Sequence, residues 1–185
     1  MTNSKFYGTL SKMQSLTEHL LSRHMNLQLH HPVLDEVEDV ATFYLWNLSG
    51  KLCGYQQYRR FGEKKPNNNP KEGKYFTHRK LPTVTVWGVE SLHLSPNVVF
   101  VTEGVFDACR MTNVGYSAVA VLGNDPPYDV GQWLNALGRK VVVVADNDKA
   151  GLNLAKFGQY VEFTDEKDLG DSDQFYVNFL VEKYG

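Results

Sequence analysis

Six carboxylates fall in a narrow order near the C-terminal half of the chain. Glu103 opens TEGVFDA and Asp107 follows it four residues on. Asp146 and Asp148 sit one residue apart in ADNDKAG, and Asp168 and Asp171 close KDLGD. Carboxylates gathered at one place repel one another, and each is driven toward its neutral acid unless a cation sits among them. Hard oxygen donors of this kind suit Mg²⁺ or Mn²⁺, which keep several positions for water and phosphate oxygens. Such ions activate an attacking oxygen and stabilise a leaving one in phosphoryl transfer. Taken alone, a DxD in a turn is more often a helix cap or a solvated loop than a metal site. The weight comes from EGxxD and DxD standing at the ends of two different strands.

Those strands are legible. VVFVT runs into Glu103, AVAVL into Gly123-Asn124, and VVVVA into Asp146-Asn147-Asp148. Unbroken valine runs, rather than alternation, mark strands covered on both faces. Between and after them, VFDACRMTNV, YDVGQWLNALG, LNLAKFGQY and SDQFYVNFLVEKY carry helical spacing, with VEFT as a short further strand. Strands alternating with helices predict crossovers and a mostly parallel sheet. Ligands of such sheets bind beyond the carboxyl ends of the strands, where Glu103, Asp146 and Asp148 would converge. Asp107 lies one helical turn beyond Glu103 and can share its face.

The first half reads differently. Residues 9–25 space Leu10, Met13, Leu16, Leu20 and Met25 as one helix face, with Ser15 and Glu18 able to form a capping box. ATFYLWNLSGKLCGYQQYRRF alternates around a Ser-Gly-Lys break, as a β-hairpin does. GEKKPNNNPKEGK, without an apolar residue, predicts an exposed loop, and KYFTHRKL and TVTVWGV are short strand candidates. The boundary falls near residue 95, giving 1–95 as a small α+β subdomain and 96–185 as the α/β domain. Charge divides the same way. Residues 51–80 hold nine Lys/Arg against Glu63 and Glu72, whereas residues 141–185 hold four Lys against nine Asp/Glu. A basic half that grips a polyanion and an acidic half that collects cations would look like this; two solvated faces would too.

In this order and combination TEGVFDA, AVLGN, ADNDKAG and KDLGD resemble the signature of the Toprim domain over residues ~96–175. Bacterial-type DNA primases, topoisomerases and a group of nucleases share that domain. Asn147 stands where primases commonly have glycine, a small departure because Asn tolerates left-handed backbone. The resemblance implies a Toprim-type sheet flanked by helices, Glu103 as acid/base or metal-proximal group, and Asp146 and Asp148 as metal ligands. It makes Asp107, Asp168 and Asp171 supporting acidic positions. SGKLCGYQQYRR, GKYFT and VWGVESL ahead of TEG are similar to the basic subdomain of primases. Carried over position by position, Arg59 and Lys74 are then expected to contact phosphates of template or nucleotide. Arg60, Lys64 and Lys65 would add to electrostatic capture. Tyr55, Tyr58, Tyr75 and Phe76 are candidates to stack on bases, with hairpin core as the competing role for at least half of them.

Absences narrow the branch. Cys53 and Cys109 cannot build the zinc ribbon of bacterial-type primases. The chain has no GxxxxGK[ST] loop of a fused helicase motor, and its 185 residues leave no room for topoisomerase strand-passage domains. No run is long and apolar enough for a membrane span, and MTNSKFYGTL has no signal core, so the expected setting is the cytoplasm. His19, His24, His30 and His31 lack ligand spacing, and Trp87 and Trp133 read as core. The expectation is a minimal primase-like nucleotidyltransferase that makes RNA primers on single-stranded DNA from nucleoside triphosphates. A replicative helicase or template-recognition protein would be a separate partner, as suits a phage or mobile element. A metal-dependent nuclease and a non-catalytic nucleic-acid or replication-protein binder remain alternatives.

Overall fold

The computed structural model describes residues 14–47, 49–64, 66, 69–80, 84–123, 128–164 and 168–185. Lys65, Asn124 and the predicted first turns of the N-terminal helix lie outside them. Helix α1 (Leu16–Ser22) begins at the predicted capping box. Ser15 Oγ accepts from Glu18 N–H and Glu18 returns the bond to Ser15 N–H, at 3.1 and 2.9 Å. A one-turn helix α2 (Leu27–His30) follows, capped by Asn26.

Four strands then form an antiparallel sheet in chain order: β1 (Val33–Asp35), β2 (Val40–Trp46), β3 (Leu52–Arg59) and β4 (Tyr75–Arg79). The hairpin register pairs Phe43 with Gln56 and Ala41 with Tyr58, which sets Ala41, Phe43, Leu45, Gln56 and Tyr58 on one face. That face is the buried one. β1 and α2 carried no sequence signal, and the described residues of TVTVWGV make no strand. Val86 and Trp87 instead form single bridges, Val86 to Trp46 of β2 and Trp87 to Ala120 of the second sheet. The segment is a strap between the two sheets, which uses its backbone groups one pair at a time.

The second sheet is parallel, in the order β6-β5-β7-β8. Its strands are β5 (Val98–Thr102), β6 (Ser117–Ala120), β7 (Lys140–Asp146) and β8 (Tyr160–Thr164). The first crossover carries the chain from β5 to β6 on one side, and the next carries it past β5 to β7 on the other. The switch point, where ligands bind in such sheets, therefore lies between the carboxyl ends of β5 and β7. The connecting helices are α3 (Val105–Asn113), α4 (Tyr128–Ala136) and α5 (Lys149–Ala155), and α6 (Gln174–Tyr184) closes the fold. α5 starts three residues earlier than its apolar spacing predicts and ends sooner, because Asp148 caps it.

Alternate residues of β5 and β7 feed two cores. Val99, Val101, Val141 and Val143 pack with Trp133, Leu134 and Leu154 of α4 and α5. Phe100, Val142 and Val144 pack with α3 and α6, and the same cluster takes in Leu16, Leu20, Phe43, Tyr58 and Trp87. Phe43 meets Phe106 edge-on at 6.2 Å and Trp87 at 6.4 Å. The antiparallel sheet thus sits on the core of the parallel one. His30 belongs to this interior: its side chain is 1% exposed, bonded to Glu90 at 2.5 Å and to Thr112 at 3.1 Å, against Trp87. Truncating Phe43 or Trp87 to alanine in this core should cost about 3–5 kcal/mol. No helix among the described residues is long and apolar enough to cross a membrane.

Candidate active site

A cleft of about 340 Å³ opens at the switch point, between the carboxyl ends of the parallel strands and the inner face of the antiparallel sheet. Glu103, Asp107, Asp146 and Asp168 line it from one side, and Gln56, Tyr75 and Thr77 from the other. Four of the six carboxylates singled out in the sequence are therefore brought together.

Each is placed by local backbone chemistry. Glu103 leaves β5 directly. Its carbonyl accepts from Leu122 N–H at 2.9 Å, and Val121 N–H donates to Thr102 at 3.0 Å, so the exit of β6 is pinned to the exit of β5. Leu122 holds φ at +58°, a left-handed conformation that a branched side chain seldom adopts. Arg79 of β4 supports it, donating to the carbonyls of Val121 and Leu122 at 2.8 and 3.2 Å. Asp107, in the first turn of α3, accepts from Gly104 N–H at 3.0 Å and from Gly170 N–H at 2.8 Å. A Cβ on Gly104 would stand 2.7 Å from one Asp107 oxygen, and one on Gly170 would stand 3.1 Å from the other. The glycines of EGVFD and DLGD are thus where backbone must approach this carboxylate. Asp107 clamps two cleft walls together, which fits a supporting place rather than a freely projecting ligand.

The two acids of ADNDKAG divide their work. Asp146, the last residue of β7, faces the cleft, with Thr164 Oγ1 at 3.5 Å. Asp148 turns back to cap α5, its Oδ1 accepting from Gly151 N–H at 2.8 Å, and it does not line the cleft. Asp168 lines the cleft while capping the next turn through Asp171 N–H at 2.9 Å. Asp171 does not itself line the cleft and pairs with Arg23 at 2.5 Å. Arg23 is the one cation among the described residues that line the cleft, its guanidinium 4.8 Å from the Phe106 ring centroid. Sequence reasoning missed it. Its signal was only a charge at the end of an amphipathic helix, and nothing local said which end faced the acids.

The electrostatics follow from this crowding. Burial, then Asp146 and Asp148, push the Glu103 carboxyl up. Burial, then Asp168 and Asp148, do the same to Asp146. Burial, then Asp171, raise Asp168 against the pull of Arg23. Asp107 is raised furthest, to about 7, by burial and Asp168 against its two backbone donors. Among the described residues no three His, Cys, Asp or Glu side chains are close enough to hold an ion unaided. The donor set nonetheless fits a hard divalent cation. Its carboxylate oxygens are destabilised by one another, and the cleft leaves room for the water and phosphate oxygens such ions retain.

The expected phosphate-binding cations are placed elsewhere. Arg59 extends from β3 on the outer face of the antiparallel sheet, opposite Gln56 and Tyr58, and reaches Gln57 at 3.3 Å. Arg60 is structural: it binds Asp39 through two nitrogens and the carbonyls of Gln14 and Ser15 at 2.6 and 3.1 Å, fastening α1 to the sheet. Lys74 pairs by backbone with Arg59 and Glu63 beside the loop, and Lys64 is exposed in it. Of the four aromatics considered for stacking, Tyr75 lines the cleft, and Tyr58 is buried against Phe43 and Phe106. Tyr55 and Phe76 lie on the outer face.

Comparison with known proteins agrees with this architecture. The family described as Toprim-like matches residues 100–167. No curated protein matches in sequence. Among solved structures, the DnaG primase catalytic domain bound to ssDNA superposes with a TM-score of 0.58 at 19% identity, covering 89% of this chain and 57% of that one. The RNA polymerase domain of Mycobacterium tuberculosis primase DnaG gives 0.59 at 19%, covering 98% and 64%. The primase fragment of the bacteriophage T7 primase-helicase gives 0.58 at 12%, covering 85% and 68%. The chain spans 58% of a further DnaG catalytic core. Residues 100–167 thus match the Toprim-like family model, in a chain whose fold is similar to that of the catalytic cores of DnaG-type primases.

Proposed function

We propose that the chain is a primase-like nucleotidyltransferase core, joining nucleotides against a single-stranded DNA template. The observation that carries this reading is the convergence of Glu103, Asp146 and Asp168 at the switch point, roofed by the inner face of the antiparallel sheet. A carboxylate cluster under such a roof suits a triphosphate whose charge needs neutralising. Glu103 and Asp146 would hold Mg²⁺ or Mn²⁺, with Asp168, Asp107 and Asp148 supporting and Asp171 acting through Arg23. When bound, such ions neutralise the triphosphate and acidify a nearby hydroxyl.

The chain's own groups do the rest. Glu103 would lie beside an attacking 3′-hydroxyl and assist its deprotonation directly or through the ion it helps to hold. Arg23 presents a cation to the same space, where it can meet phosphate oxygens. The Asp107 bonds to Gly104 and Gly170 hold the β5 exit and the 168–171 turn in one geometry, and orientation of this kind contributes much of the acceleration in such reactions. Lys64, Lys65 and Lys74 supply sequence-independent attraction for a template. A helicase or template-recognition protein would act as a separate partner.

The test is incorporation of labelled nucleotides on single-stranded DNA with Mg²⁺ or Mn²⁺, with and without a candidate helicase. Incorporation should appear and should be lost in Glu103→Gln and Asp146→Asn. Cleavage of the DNA without nucleotides, also lost in Asp146→Asn, would make the protein a nuclease. Salt-sensitive binding that survives Asp146→Ala, with no chemistry in either assay, would make it an accessory binder.

A further inference from the structure

The outer face of the antiparallel sheet carries a feature that the cleft chemistry does not use. The register sets Tyr44 opposite Tyr55 and Tyr55 opposite His78, so three rings cross three adjacent strands in one row. Tyr55 and His78 are 5.3 Å apart by ring centroids. Trp46 extends the row from Tyr44 at 6.3 Å, and Phe76 adjoins Tyr55 at 6.3 Å. Tyr44 and His78 are exposed, and Trp46, Tyr55 and Phe76 are half-buried. Aromatic rings in neighbouring cross-strand positions steady a sheet by roughly 0.2–1 kcal/mol per pair, which accounts for their packing but not for their exposure. Here the core is on the opposite face, with Phe43, Gln56 and Tyr58.

Charge surrounds the row. Lys51 and Lys80 are exposed at its ends and Arg59 stands two residues beyond Gln57 on the same face. Arg59 makes no ion pair among the described residues, and its Nη1 is buried without a hydrogen-bond partner. That nitrogen itself is closed to solvent, but the half-buried guanidinium carries a charge that no described carboxylate neutralises, and this charge attracts an anion at the surface. Ring faces in series beside unpaired cations are what a sequence-tolerant single strand requires: stacking for its bases and positive charge for its phosphates.

We propose that this outer face is a second nucleic-acid site, a stacking platform for single-stranded DNA separate from the cleft. Bases lie on Tyr44, Tyr55 and His78 while Arg59 takes a phosphate. The choice of DNA rests on the template reading above; the stacking geometry does not.

The experiment is fluorescence anisotropy of a labelled oligothymidylate with the full chain, without metal or nucleotides. Tyr55→Leu keeps apolar bulk and removes the ring, and should weaken binding roughly 5- to 150-fold, the equivalent of ~1–3 kcal/mol per stacked base. Tyr55→Phe should bind as the native chain does, and circular dichroism of both should match it. Arg59→Gln should make the dependence of log K on log salt shallower by roughly 0.7. Duplex DNA, whose bases are stacked already, should bind more weakly than the single strand. Native affinity in both Tyr55→Leu and His78→Ala, or no binding by the native chain, would overturn the platform. Stronger binding to oligouridylate would overturn the assignment to DNA. Because the assay contains no reaction, loss of binding in Tyr55→Leu would stand even if nucleotide incorporation failed.

Discussion

Gly151 lets two physical effects be set against each other. It is the third residue of α5, and helix propensity alone says that Gly151→Ala should stabilise the protein by about 1 kcal/mol. The structure says the reverse. A Cβ at Gly151 would stand 1.9 Å from the Asp146 carbonyl oxygen, against 3.4 Å for an ordinary contact, so helix and strand end must separate by about 1.5 Å. The obstacle is backbone on both sides, which no rotamer relieves. Overpacking of this kind costs roughly 1–3 kcal/mol, and the Asp148 cap on Gly151 N–H would be strained with it. Set against the propensity gain, the net expectation is a loss of up to about 2 kcal/mol, a Tm lower by as much as roughly 8 °C for a chain of this length. Urea unfolding followed by circular dichroism should show a lower midpoint with an unchanged slope. Because Asp146 moves with its carbonyl, nucleotide incorporation should fall further than stability, by about 100-fold for a 1 Å displacement. A Gly151→Ala protein stabilised by the full ~1 kcal/mol that helix propensity gives would refute the close approach on which the placement of Asp146 depends.

Other outcomes follow from the same geometry. Asp107→Ala strands the Gly104 and Gly170 N–H groups and should destabilise by about 1–3 kcal/mol, read by denaturant unfolding, with Asp107→Asn losing less because it keeps an acceptor. Burial, then Arg60 and Arg23, holds the His19 imidazole down at about 4, and its Nε2 meets Tyr58 at 2.8 Å. The unfolded chain therefore binds this proton more readily. The stability owed to neutral His19 is complete above its ordinary pKa of 6.5 and is lost as pH falls from there toward 4. For a partly exposed group this amounts to roughly 1–2 kcal/mol after screening, and His19→Gln should flatten that part of the urea-midpoint profile; superimposable profiles would contradict it. Arg23→Met removes an ion pair with an exposed partner, so unfolding should change by no more than about 1 kcal/mol. The Michaelis constant for nucleoside triphosphate should rise at the same time.

The parallel sheet was legible because its strands are valine runs covered on both faces, and nothing else in a short chain needs such runs. The hairpin was legible through its alternation. The six acids were legible as a set, but their division was not. That Asp146 faces the cleft while Asp148 caps α5 depends on where the helix begins, and the small residues of DKAG read as a turn. Asp171 is taken up by Arg23, a partner 148 residues distant, which no local pattern announces. The same holds for Arg60, whose partner is Asp39. Which aromatics face the cleft and which face outward turns on strand register: a one-residue slip would exchange Tyr58 with Arg59.

The proposed chemistry requires the cleft at the switch point to hold divalent metal and a nucleoside triphosphate together. Anomalous diffraction from crystals soaked with Mn²⁺ and a non-hydrolysable nucleoside triphosphate tests it most directly. A manganese peak is expected between Glu103 and Asp146, with triphosphate density reaching toward Arg23, and the peak should be lost in Asp146→Asn. Manganese bound only elsewhere, or triphosphate ordered away from the carboxylates in a protein that still incorporates nucleotides, would contradict it.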